Sequence, residues 1–340
     1  MNKLKGFIKS APAITLMILT AILSEVLPGA THFRSLYVFP GEVLMWGGGA
    51  LLIRYIVRSL HLGWLNMLFL SLALSIAVEF LIKQTSIAPM FVQIKSVIYA
   101  RAEGVNYVYL IWALIYESAF LIFLPIYLTE LIFPNRKKEL WIERIGIIPV
   151  SLLFLLGSFM TWFSWTQIAR PTIYQLPAYT PSFALALIAV TLISCLITIA
   201  IGPLRNKFVL ISLPLSPFPS WLLTITAGLW TITLYGIVRL AIGISPIFPT
   251  LIAIFMGLLL SIEAIYFLPK WIVSPWWQPK HMFSLISGVL LGSLFAGFNG
   301  YYGAVSIDLY FKVFVDILGV ILMIILGFRV KTQLQLLHQL

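Results

Sequence analysis

The sequence carries very little charge. Only 10% of its 340 residues are Asp, Glu, Lys or Arg, whereas 61% are hydrophobic. Soluble domains contain about 25% charged and about 45–50% apolar residues. A soluble fold of this composition would expose large apolar patches, because much of any folded surface faces solvent. The composition therefore excludes an ordinary soluble protein and predicts helices embedded in a bilayer, where a helix can be apolar all round.

Cysteine and recognisable catalytic motifs are also scarce. The single cysteine, Cys195, lies in an apolar run, which excludes an internal disulfide and a cysteine-based metal site. There is no glycine-rich loop ending in Lys-Ser or Lys-Thr, and there is no HExxH pattern. The histidines stand far apart in the sequence, at His32, His61, His281 and His338. We therefore expect no nucleotide site, no metal site, no serine triad and no cofactor.

Long apolar stretches follow one another along the chain. Their lengths suit a hydrocarbon core about 30 Å thick, because an α-helix rises about 1.5 Å per residue. They predict an all-α transmembrane bundle of about ten spans, forming one integral membrane domain over residues 1–340. The predicted spans are 11–28, 37–57, 64–82, 105–132, 146–168, 182–203, 219–240, 244–268, 281–298 and 307–328.

Basic residues divide unequally between the two sides that ten spans define. With the N-terminus inside, 15 of the 22 Lys and Arg residues fall on the inner side and 6 on the outer side, and Lys312 lies within the last span. This excess predicts that both termini are cytoplasmic. It also explains the net charge of +11, so we expect membrane lipids and no nucleic acid as partners. We expect the protein in the plasma membrane of a prokaryotic cell.

Acidic side chains within the predicted spans are the most informative polar residues, because charge inside a bilayer usually lies in a bundle interior or an aqueous cavity. Glu25, Glu42, Glu79 and Glu117 come from four consecutive spans. We predict that they share an outward-facing polar cavity with Lys83. We predict that Glu79 and Glu117 approach each other in this cavity. Counting residues along their spans separates their heights by about 10–14 Å, unless the fourth span is tilted or starts later.

The alternative is that each carboxylate simply pairs with a nearby base. Glu79 and Lys83 are four residues apart on a predicted helix, a spacing that favours an ion pair. Arg34 follows the first span and suits a pair with Glu25 or Glu42.

A second set of intramembrane charges occupies the last span. Asp308, Lys312 and Asp316 are spaced by four residues, so they share one helix face and should face the bundle. A lysine between two aspartates stays charged and compensated inside a bundle. Such a ladder is typical of a proton or ion pathway, and a purely structural clamp has the same pattern.

Two further segments bear on the architecture. Gly47-Gly48-Gly49-Ala50 in the second span predicts close helix packing, with local unwinding beside a cavity as the alternative. Residues 90–101 have apolar side chains at helical spacing. They predict an amphipathic helix on the outer surface, either packed there or acting as a lid.

Residues 41–64 (GEVLMWGGGALLIRYIVRSLHLGW) and 99–136 (YARAEGVNYVYLIWALIYESAFLIFLPIYLTELIFPNR) resemble a family of uncharacterised prokaryotic polytopic membrane proteins. The resemblance covers roughly residues 20–145, and its most specific pieces are GGGALLIR, GVNY and LPIYLTELIFP. Those proteins typically carry Glu-Glu in the third span and Tyr-His in the fourth. This pattern is similar to that of CAAX-protease-like membrane proteins, whose glutamates and histidines are thought to activate water. Here the two positions read Val78-Glu79 and Glu117, so one glutamate and the imidazole are missing.

Two functions from different classes follow. The spans, their carboxylates and the lack of a complete catalytic set favour a transporter or permease-like protein for a small solute or a lipid. The alternative is a membrane-embedded CAAX-protease-like hydrolase, or an inactive relative that binds peptide or lipid. A non-catalytic partner subunit is a third interpretation.

Overall fold

The computed structural model describes residues 2–89, 101–205, 215–241, 250–301 and 303–337. Within these ranges, nine helices are long and apolar enough to cross a membrane, and a tenth apolar helix, Ser10–Val26, is shorter. The predicted all-helical membrane architecture is thereby confirmed, whereas the count of ten spans and the orientation stay predictions. We number the apolar helices in chain order: α1 Ser10–Val26, α2 Phe33–Ser59, α3 Trp64–Ile82, α4 Tyr107–Ile132, α5 Arg144–Thr172, α6 Phe183–Ile201, α7 Ser220–Ile237, α8 Thr250–Ile272, α9 Pro279–Tyr301 and α10 Ser306–Thr332.

A short hairpin precedes α4. Its strands, β1 (Arg101–Ala102) and β2 (Val105–Asn106), are antiparallel, and Arg101 lies opposite Asn106. The predicted amphipathic helix over residues 90–101 lies outside the described residues except for Arg101. That one residue belongs to a strand and not to a helix.

Each of the first five helices contains a π-helical segment: Ile22–Val26, Val43–Gly47, Val78–Ile82, Glu117–Phe123 and Phe163–Ala169. A π turn bonds i to i+5 and therefore accommodates one residue more than an α turn. Glu25, Glu79 and Glu117 lie inside three of these segments, and Glu42 directly precedes a fourth. The helix register thus changes beside each of the four predicted glutamates.

α4 lies between two apolar cores. Leu121 and Ile126 pack into the core formed mainly with α1, α2, α3 and α5. Phe120 and Leu124 pack into the second core, which α7, α8, α9 and α10 share. Because different faces of α4 contact the two cores, this helix joins the two parts of the bundle.

The glycine triplet in α2 allows its neighbours to approach closely. A Cβ on Gly47 would overlap the Cα of Met17 in α1. A Cβ on Gly49 would lie 2.8 Å from Cδ2 of Leu74 in α3. The helix continues without unwinding over Gly48–Ser59, so the prediction of close packing is confirmed.

Burial separates inner helices from helices at the periphery. In α9, 67% of the most apolar stretch is buried, against 6% in α10. α2, α3 and α4 resemble α9, whereas α5, α6 and α8 resemble α10. The peripheral helices expose large apolar side chains, as expected for a surface that faces lipid.

Polar contacts mark the two ends of the bundle. At one end, the Arg54 and Arg58 guanidiniums of α2 both bind the Glu130 carboxylate of α4, at 3.2 and 2.6 Å. At the other end, Lys83, directly after α3, pairs with Glu25 of α1. We call these the Arg54 end and the Lys83 end. The sequence prediction places the Lys83 end outside the cell.

Candidate functional site

The four predicted glutamates and Lys83 lie together near the Lys83 end. All four glutamate side chains are buried, and Lys83 is partly buried. Electrostatic interactions connect Lys83 with Glu25, Glu42 and Glu117, and connect Glu117 with Glu79. We call these five residues the carboxyl network. The structure therefore brings together every member of the predicted polar cavity, while its opening outward stays a prediction.

Glu25 and Lys83 form the ion pair of the network. The Lys83 Nζ lies 2.5 Å from Glu25 Oε1. The indole of Trp46 donates a second hydrogen bond to the same oxygen, at 2.7 Å, and its ring lies 5.0 Å from the Lys83 ammonium. Burial alone would lower the pKa of Lys83, but Glu25, Glu42 and Glu117 outweigh it and raise that pKa above its ordinary value. The ammonium therefore stays charged.

Glu42 lies beside this pair. The Thr31 hydroxyl donates a hydrogen bond of 2.7 Å to Glu42 Oε1. Oε2 of Glu42 is buried and has no hydrogen-bond partner among the described residues. Because Glu42 interacts electrostatically with both Glu25 and Lys83, two carboxyl groups share one ammonium.

Hydroxyl groups surround Glu79. Thr85 Oγ1 donates to both of its carboxyl oxygens, at 2.7 and 2.8 Å. Ser86 Oγ donates to Oε2 at 2.6 Å. Both hydroxyls belong to the segment after α3, which folds back over Glu79. This segment is held in place by the Asn106 backbone N–H, which donates a hydrogen bond of 2.8 Å to the Ser86 carbonyl oxygen. A carboxyl group that accepts this many hydrogen bonds from hydroxyls is best satisfied in its ionised form, as a carboxylate.

Glu117 completes the network from α4. It interacts electrostatically with Glu79, and its Oε2 is buried with no hydrogen-bond partner among the described residues. Two carboxyl groups form a hydrogen bond only when one of them carries a proton. The hydroxyls of Thr85 and Ser86 donate to Glu79, whereas no described group donates to Glu117 Oε2, so Glu117 is the carboxyl that a bound proton would satisfy.

The alternative pairing of Glu79 is wrong, and the position of Glu79 relative to Glu117 differs from the simple residue count. The ion pair of Lys83 is with Glu25 and not with Glu79, because the π segment Val78–Ile82 changes the register on which the four-residue spacing relied. Glu79 and Glu117 also interact electrostatically, although residue counting separates their heights. Counting assumed that the chain leaves the membrane after Ile82, but the next residues fold back over Glu79.

The charges of α10 form a separate set. Lys312 is fully buried; its Nζ lies 2.5 Å from Asp316 Oδ1 and 3.1 Å from Leu294 O. Asp308 is also buried, so the ladder faces the bundle at these two positions. Asp308 pairs with Arg34, whose Nε lies 3.0 Å from Asp308 Oδ2. The predicted pairing of Arg34 with Glu25 or Glu42 is therefore wrong, because the chain after α1 passes beside α10.

Charge balance distinguishes the two sets. In α10 and its surroundings, two aspartates face one lysine and one arginine. The carboxyl network has four glutamates and one lysine. If every glutamate were ionised, three negative charges would be uncompensated in a buried site. Such a site must bind protons or another cation.

Several residues of the site were missed from the sequence. Four side chains donate hydrogen bonds to the network, namely Thr31, Trp46, Thr85 and Ser86. The one available signal was the polar run Lys83-Gln84-Thr85-Ser86 at the end of a span. In the part of the chain that the structure describes, no group of three or more His, Cys, Asp or Glu side chains is arranged to hold a metal ion.

Comparisons of this chain with protein-family models, with curated proteins and with solved structures found no match.

Proposed function

We propose that the chain is a transporter or permease-like protein for a small solute or a lipid, in which the carboxyl network takes up and releases protons. We place it in the plasma membrane of a prokaryotic cell. The observation that carries the proposal is the excess of four buried glutamates over one lysine. A purely structural polar cluster is expected to be charge-balanced, as the set around α10 is. An unbalanced cluster changes its protonation whenever its surroundings change, which is what proton coupling requires.

The backbone supports the same function. π-helical turns are rare and occur frequently at functional sites. Here they occur in four consecutive helices next to the four glutamates. Each such turn leaves the helix able to revert to α geometry, so the surroundings of the carboxyls can change without unfolding a span.

The first test is electrical. Purified protein is reconstituted in liposomes on a solid-supported membrane, and charge displacement is recorded after a pH step, first without solute and then with a panel of small solutes and lipids. We expect a pH-dependent current from the wild type, and its loss in Glu117→Gln. Glu103→Gln is the matched control, since Glu103 is an exposed carboxyl in the hairpin before α4. Absence of a current from folded wild-type protein, or equal currents from Glu117→Gln and the wild type, would contradict the proposal.

The presence of Glu79 and Glu117 in one buried network favours one second candidate, a membrane-embedded hydrolase. A carboxylate next to a protonated carboxyl provides a general base and a general acid in one place. The sequence resemblance described above points to the same class. The test is whether reconstituted protein cleaves fluorogenic membrane peptides. Cleavage by the wild type that is lost in both Glu79→Gln and Glu117→Gln would identify the protein as a hydrolase and not a transporter.

A further inference from the structure

Glu263 in α8 is an acidic residue outside both charged sets. α8 runs from Thr250 to Ile272, so Glu263 lies 13 residues from its first residue and 9 from its last. At 1.5 Å per residue these separations are about 20 and about 14 Å. The hydrocarbon core is about 30 Å thick. Glu263 therefore lies near the middle of the membrane.

The side chain of Glu263 is exposed on the outside of the bundle. Within the described ranges it makes no hydrogen bond and no ion pair. Its neighbours on α8 are large apolar side chains that are themselves 43–62% exposed, namely Leu259, Ile262 and Tyr266. The opposite face of α8 packs inward, where Gly257 lies against Ile111 of α4. The carboxyl thus belongs to the face of α8 that would contact lipid.

A carboxyl facing lipid at mid-membrane depth is costly, and such residues normally pair with one another or with another polar group. We infer that the face formed by Leu259, Ile262, Glu263 and Tyr266 binds a transmembrane helix of a partner protein that carries a lysine or arginine at the same depth. The apolar side chains provide packing area, and the carboxylate selects a cationic partner. This inference does not depend on the proposed function.

Among the described residues, a second copy of the chain offers no free lysine or arginine at mid-membrane depth. Lys312, which lies well inside a span, is fully buried and already paired with Asp316. Two copies related by a two-fold axis along the membrane normal would bring one Glu263 against the other, which places two acids together without a base. Charge complementarity therefore favours a different protein as the occupant.

The test uses a synthetic polyleucine membrane helix with one central lysine as the probe, and a matched helix with leucine at that position. The chain, labelled with a donor dye at Thr172→Cys in a Cys195→Ala background, is reconstituted with acceptor-labelled helix, and association is measured by energy transfer. We expect the lysine helix to bind the wild type about tenfold more tightly than the leucine helix. That preference should disappear in Glu263→Gln and in Glu263→Leu.

Stability provides the second readout. Glu263→Leu should keep or increase the melting temperature in detergent, since it removes a carboxyl that makes no hydrogen bond and no ion pair within the described part of the chain. A loss of stability would show that Glu263 has an internal role and would overturn the inference. Equal binding of the two helices, or self-association of the wild type that Glu263→Gln abolishes, would also overturn it. The second result would identify another copy of the chain as the occupant.

Discussion

The ammonium of Lys83 lies 2.5 Å from the carboxylate of Glu25, although 58 residues separate them in the sequence. This pair joins the end of α1 to the end of α3, and it is the one ion pair within the carboxyl network. Removing its cation leaves Glu25 and Glu42 without a compensating charge.

We therefore expect Lys83→Met to lower the free energy of unfolding by about 3–5 kcal/mol, since breaking a buried pair leaves an uncompensated carboxylate. The double variant Lys83→Met with Glu25→Gln should lose less than the single variant. Chemical denaturation in detergent measures both. Lys138→Met is the control, because Lys138 is exposed. Losses that simply add in the double variant would contradict the pairing.

Two double-mutant cycles test the pairing around α10. Arg34→Gln and Asp308→Asn should couple by about 0.5–1 kcal/mol, because the two side chains share a 3.0 Å contact. Lys312→Leu and Asp316→Leu should couple more strongly, since Lys312 is fully buried. By contrast, Asp308→Asn and Lys312→Leu should be additive within about 0.5 kcal/mol. Strong coupling between Asp308 and Lys312 in this last cycle would show that Asp308, Lys312 and Asp316 form one continuous ladder.

A pair of glycine substitutions tests helix packing. Gly47→Ala should destabilise the protein by about 1–3 kcal/mol, because the new Cβ would overlap the backbone of Met17. Gly236→Ala in α7 is the matched control, since a Cβ added there would meet no described atom within 4 Å. It should be neutral or stabilising by up to about 1 kcal/mol, the difference between Gly and Ala in a helix. Melting temperatures in one detergent compare the two, and equal shifts would contradict the packing.

Cysteine labelling in intact cells tests the orientation. In a Cys195→Ala background, Thr172→Cys at the Lys83 end should react with a membrane-impermeant maleimide, whereas Lys138→Cys at the Arg54 end should react only after lysis. Both positions are exposed in the structure. The expectation follows from the 15 to 6 distribution of basic residues. The reverse labelling pattern would invert the topology and place the carboxyl network near the cytoplasmic surface.

The sequence predicted the helices because hydropathy depends only on composition along the chain. It also predicted which carboxyls assemble, since four consecutive spans that pack as neighbours bring their polar residues into one interior. It did not predict the partners of those carboxyls. Lys83 reaches Glu25 across 58 residues, just as Arg34 reaches Asp308 of α10 across 274 residues. The spacing of neighbouring residues in the sequence cannot predict such contacts. Glu263 was missed for a related reason: hydropathy detects a charge within a span but not the direction in which it points.

The π-helical segments make chain length itself a determinant of this site. Deleting one residue from Val78–Ile82 would remove the extra residue that the π turn accommodates, so α3 could continue as a plain α-helix with the residues on both sides nearly in place. A one-residue deletion in the α-helical part of α3, Trp64–Ala77, would instead rotate the residues beyond it about the helix axis by about 100° relative to those before it. Glu79, Thr85 and Ser86 would then turn away from the other members of the network, although the hydropathy of the span would hardly change. The position of a single-residue deletion in this apolar span therefore decides whether the network is kept or abolished.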